Sequence, residues 1–362
     1  PVLLRIVDTP SNFEADALAS ALDALRKLAA SEQAVNALLR HEALPRAIKL
    51  LSSWPAGTPP LVALDACELI RLLLLAASAA AATEDGAPVA AQAGDSGLAT
   101  ILSWVTSTSD AHPIPDEFTD EEKLQRTLCQ LLCTCLSAPP LDAALGHSEL
   151  EGLKPLLYLM KTQRNDAELS ADGASSLKGL CIKSVQLTKQ VAKLGAVKTL
   201  LLTMRQHIKS VDVNLHSTGV LRAISEASDG CRKLVVEAHG VPMLCAVMKR
   251  HSLEPNLQRD GVGALASLML NSPAGMAAVA KEKEGVEVLC GGMLICAREK
   301  LDFAKGQEAL QKLAELQPDL IKRIGMANGK KYLKVEKKAE GENGEGGEGG
   351  GEEGVTVGAP AA

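Results

Sequence analysis

Lys161, Arg205 and Lys249 stand 44 residues apart, and each directly follows a methionine. His207 and His251 lie two positions beyond the last two of them. Cations repeated at a fixed interval can grip an acidic strip on a partner through Coulomb attraction and charge-assisted hydrogen bonds. The same cations in the last turns of helices would offset the negative pole of the helix dipole. Spacing alone does not separate these readings, because both predict repetition.

Other reactive side chains are less organised. Nine cysteines are scattered along the chain, with no CxxC pair. Cys129, Cys133 and Cys135 fall on one helical run, but only the first two share a face and no nearby histidine completes a tetrahedral metal site. They read as buried thiols of a reducing compartment. No G-x-S-x-G, Walker A, H-E-x-x-H or G-x-G-x-x-G pattern occurs. The expectation is therefore a non-catalytic protein with no cofactor and no metal.

The elements that must carry these residues repeat as well. Met160, Met204, Met248 and Met293 are 44, 44 and 45 positions apart. The pairs Leu177/Leu180, Leu221/Ile224, Leu265/Leu268 and Leu310/Leu313 follow the same steps. Leu69/Leu72 stand 44 after Leu25/Leu28, which carries the period to the N-terminal region. A period in the forties marks stacked helical units, none able to bury its apolar face alone. Apolar residues make up 46% of the chain and aromatics 2%, a mix suited to packed helices rather than sheets. The repeat methionines could form an adaptable binding stripe, but a strict repeat position reads first as core.

Within each central unit the order is specific. A short segment with Leu169, Val213 or Leu257 is followed four residues on by Gly173, Ser217 or Gly261, then by the Leu-x-x-Leu/Ile pair. Next come VAKLGAVKTLLLTM, VVEAHGVPMLCAVM or VAKEKEGVEVLCGGM, with Gly195, Gly240 and Gly285 at or beside a turn. This order resembles the armadillo repeat, over roughly residues 14–325. The resemblance implies an all-α, right-handed solenoid of about six units. Each unit would end in a long third helix, after the glycine turn, that lines a concave groove. It implies a scaffold or adaptor that binds protein segments in that groove. Exchange-factor-like regulators of GTPases or heat-shock chaperones, and ciliary or cytoskeletal components, are alternatives within it. The nuclear carriers of the family place Trp and Asn four apart on the third helices. Trp54 and Trp104 have no such Asn, so that reading is weak. By the same resemblance, the glycines of GVGAL (261–265) are small for close helix packing rather than for phosphate binding.

Two stretches interrupt the period: 83–97, rich in Gly, Ala and Asp, and 109–122, where Thr119 and Glu122 form a capping box. GKKYLKVEKK (329–338) is basic, and the Gly/Glu run from Glu340 cannot bury enough surface to fold. The expected division is thus a solenoid over 1–328 and a disordered tail over 329–362. The six glutamates of residues 340–362 account for the net charge of −6, leaving residues 1–339 formally neutral. A neutral body does not suit nucleic acid, which selects a basic face. The apolar run Leu72–Ala82 is too short for a membrane span of roughly 20 residues. No apolar leader opens the chain. The expectation is a cytoplasmic protein, with nuclear or cytoskeletal and ciliary sites as alternatives. It would be monomeric or part of a hetero-complex, with an acidic segment as the partner's contact and Lys161, Arg205, His207, Lys249 and His251 as the binding residues.

Overall fold

The computed structural model describes residues 2–8, 15–52, 60–81 and 148–333, with scattered residues between Thr100 and Thr134. The insertions 83–97 and 109–122, the capping box, Cys129, Cys135 and the tail beyond 333 lie outside the described residues. Every regular element described is helical. Helices α1 (Val2–Asp8), α2 (Ala15–Ala29), α3 (Glu32–Arg40), α4 (Ala43–Ser52) and α5 (Pro60–Ala81) open the chain, and α6 (Ser148–Thr162) leads into three units of one design. These are α7 (Ala167–Lys183), α8 (Val185–Lys193) and α9 (Ala196–Gln206); α10 (Val211–Ala227), α11 (Asp229–Glu237) and α12 (Gly240–Arg250); α13 (Pro255–Asn271), α14 (Pro273–Lys281) and α15 (Gly285–Arg298). Helices α16 (Ala304–Leu316) and α17 (Ile321–Met326) close the stack. Among the described residues no helix is long and apolar enough to cross a membrane.

Local chemistry sets the boundaries. Ser184, Ser228 and Ser272 each cap the second helix of a unit, accepting hydrogen bonds from the backbone N–H of Leu187, Cys231 and Gly275. Asp166 and Ser210 cap α7 and α10 in the same way, and at α13 Pro255 takes the first helical position instead. The turn into α9 needs a left-handed residue, Gly195 at φ +93°. One unit later His239 takes that conformation at φ +60° and Gly240 becomes the first helical residue.

The helix lengths correct one expectation. The third helix of each unit is 11 residues long in α9 and α12 and 14 in α15. The longest helix of each unit, 17 residues, is the one that carries the small residue and the Leu-x-x-Leu/Ile pair. The short segment and the pair read as separate pieces are one continuous helix, because no Pro or Gly-plus-cap signal divides them. Successive long helices lie against one another along their length, whereas α9, α12 and α15 touch over a fraction of theirs. In a curved stack the closely spaced layer is the inner one, so α7, α10, α13 and α16 form the concave side.

The core follows the period. Leu177/Leu180, Leu221/Ile224, Leu265/Leu268 and Leu310/Leu313 are fully buried, as are the four repeat methionines. Met160, Met248 and Met293 each lie against the next long helix, where a glycine leaves room. A Cβ on Gly173 would sit 2.7 Å from Met160 Sδ, and one on Gly261 2.5 Å from Met248 Sδ. The methionines are therefore core, and Gly261 is small for packing. At the N-terminal end the period slips: Leu25 is buried but Leu28 is 44% exposed, and the buried stripe of α2 is Leu18, Leu22, Leu25 and Ala29. At the other end the described residues run to Leu333. Residues 330–332 form a 3₁₀ turn, and Tyr332 packs edge-on against Phe303 with ring centroids 5.6 Å apart. Residues 329–333, read as the start of the tail, belong to this cap.

Candidate binding face on the long helices

Lys178 on α7 and Arg222 on α10 occupy equivalent places one 44-residue step apart, and so do Gly219 and Gly263. The two pairs are coupled. The stem of Lys178 lies flat over Gly219, where a Cβ would come within 2.5 Å of Cε. Arg222 lies over Gly263, where a Cβ would come within 2.7 Å of Nε. Glycine at these places lets a long cation cross from one repeat to the next.

Both cations end at Asp260 on α13. Lys178 Nζ is 2.9 Å from Oδ2, Arg222 Nη1 is 3.2 Å from Oδ1, and Arg259 Nη2 is 3.1 Å from Oδ1. The Asp260 side chain is 4% exposed, so it needs such partners to stay charged. Burial alone would raise its carboxyl; the Lys178 hydrogen bond and charge, with Arg259 and Arg222, outweigh burial and hold it below the usual carboxylate value of 3.8. Arg222 also reaches Glu226 at 3.4 Å, and Lys305 on α16 donates to the same Glu226 oxygen at 2.8 Å. Four cations from four successive long helices thus meet two carboxylates.

All of these groups except Lys305 line a cleft of about 400 Å³. Its apolar rim includes Ile182 and Val185, 72% and 59% exposed, with Ala223 and Ala227 deeper. Cys181 is in the wall, and burial pushes its thiol up to about 11. Burial likewise pushes Cys245 to about 12, and Cys290 and Cys296 to about 11. Such thiols are structural, not nucleophilic. Among the described residues no group of three or more His, Cys, Asp or Glu could hold a metal ion.

The residues singled out by their spacing lie elsewhere. Lys161, Arg205 and Lys249 are in the last turns of α6, α9 and α12, exposed, and outside the Asp260 cleft. Lys249 is held at 2.7 Å by both oxygens of Glu284, at the rim of a second, more apolar hollow of about 520 Å³ between α12 and α15. The two histidines stitch neighbouring repeats. His207 Nε2 lies 2.7 Å from the Arg164 carbonyl, and His251 Nε2 lies 2.9 Å from the Ile208 carbonyl one unit on. Asn214 and Gln258, again 44 apart, tie down the same connections by donating to the His207 and His251 carbonyls. Spacing could have revealed Lys178/Arg222 with Gly219/Gly263, since both pairs keep the period. Asp260 recurs only at Asp172, two steps earlier, and Arg259 not at all, so their part needed the structure.

No known protein family and no curated protein matches the sequence. Solved structures do resemble the fold. A designed armadillo repeat protein superposes with a TM-score of 0.51 at 16% identity, covering 74% of this chain and 99% of its own. A computationally designed armadillo protein for modular peptide recognition gives 0.51 at 16% identity, with 74% and 98% covered. Another designed armadillo protein, in complex with the peptide (KR)4, gives 0.50 at 16% identity with the same coverage. The chain has an armadillo-like repeat fold, an α-solenoid.

Proposed function

We propose that this chain is a non-catalytic scaffold that binds an extended segment of a partner protein along the face of its long helices. The observation that carries this reading is the convergence of side chains from α7, α8, α10 and α13 in one open cleft with a polar floor and an apolar rim. A preformed concave face suits such a ligand, because the binding side loses little conformational freedom. Proteins of this architecture designed for peptide recognition support it. The same reading excludes the (KR)4 type of ligand for this chain, because the cleft carries more cations than carboxylates.

The column Lys161, Arg205 and Lys249 then serves its own helices, offsetting their dipoles from exposed last turns. Peptide display against the folded chain tests the proposal. Selected peptides should bind the parent and the K161E/R205E/K249E variant alike, and lose binding to Ala223→Trp, which fills the cleft. Binding that follows the charge-reversed column, or failure to select any peptide, overturns it.

A further inference from the structure

Resting on that scaffold reading, we propose that the cleft over Asp260 takes a carboxylate side chain of an acidic partner segment, with an apolar side chain beside it on the Ile182/Val185 rim. One buried carboxylate requires one well-placed cation to remain charged, yet three converge on Asp260. Their own side chains are only 22%, 29% and 33% exposed, so their mutual repulsion is poorly screened. Lys305 adds a fourth cation while Glu226 adds the second carboxylate. The unspent charge is positive, and so is the unspent hydrogen-bonding capacity. A lysine has three donors and an arginine five, against the few that Asp260 and Glu226 accept. Gly219 and Gly263 keep the cation stems flat, so the donors face an open volume rather than a wall of side chains. An entering carboxylate would accept from Arg222 and Lys178 and relieve their repulsion. A basic segment would add to it.

The exposed Ile182 and Val185 define the second half of the specificity. An extended chain alternates its side chains, so an apolar residue near the acidic one can cover this rim. The ligand is thus an acidic–apolar segment rather than a plain polyanion.

The test is fluorescence anisotropy on the full chain with short fluorescein-labelled peptides of repeated Glu-Leu-Ser, Gln-Leu-Ser and Lys-Leu-Ser. The Glu peptide should bind at least about tenfold tighter than the Gln peptide and weaken as salt rises, and the Lys peptide should not bind. Arg222→Met should weaken the Glu peptide about tenfold, while Asp260→Asn, which frees three cations, should tighten it. If Arg222→Met does not fold, R222M/D260N removes the buried charge together with its partner and should bind more weakly than D260N. Equal affinity for the Glu and Gln peptides, or variants that bind as the parent does, overturns the inference. The scaffold reading survives that result if displayed peptides still depend on the Ala223 face. A chain ending at Ala339 that binds the Glu peptide more than about tenfold tighter would place the chain's own glutamates in the cleft and overturn a partner as its occupant.

Discussion

Asp260 shows how one residue can be both structural and electrostatic. Its carboxyl lies below 3.8 in the fold, so the stability it contributes is complete above that pH and is lost as pH falls through the folded value. Asp65 and Asp172 work in the opposite direction, because burial raises both. The clean measurement is therefore a difference. Between about pH 5 and pH 3, the urea midpoint of the parent should fall further than that of Asp260→Asn. Parallel falls would mean that the three cations do not depend on this carboxylate. The cysteines give a second residue-scale prediction. With thiols at about 11 to 12, Cys181, Cys245, Cys290 and Cys296 should resist iodoacetamide at about pH 8 in the native protein and react in urea. Rapid native labelling of any of them would contradict their burial.

At the scale of the element, the recurring device is the serine cap. Ser184, Ser228 and Ser272 hold the start of a helix only nine residues long, too short to persist unaided. Ser228→Ala should cost about 0.5–2 kcal/mol, measured by urea unfolding. No loss would mean that packing alone holds α11. These caps keep the 44-residue period, as do the histidine staples, although the serines had not been singled out by the apolar pattern. The length of the long helix was less legible. Leu169, Gly173 and Leu177 fall on one face at helical spacing, but a glycine in the middle suggests a boundary. The structure makes it a contact point, because Met160 fills the space a side chain would take.

At the scale of the molecule, stability in a stack is approximately a sum of units and nearest-neighbour interfaces. The end of the described chain is then a cap, closed by Tyr332 on Phe303 and by Gly329 N–H on the Ile324 carbonyl. Tyr332→Ala should raise amide hydrogen exchange in α16 and α17 while leaving α7 and α8 unchanged. A uniform rise along the chain would show that the solenoid unfolds as one cooperative body instead.

The sequence by itself determined the period, the helical class and the core. Those properties depend on side-chain type at intervals along one chain, and Leu177/Leu180, Met204 and Ser228 carry them locally. Which helix faces the groove was decided only by tertiary packing. The cations marked by strict spacing, Lys161, Arg205 and Lys249, end the outer helices, while Lys178 reaches Asp260 across two repeats and Arg222 across one. That convergence joins residues 82 and 38 positions apart in the chain. It depends on the angle at which one long helix crosses the next, a quantity set by packing and written in no single repeat.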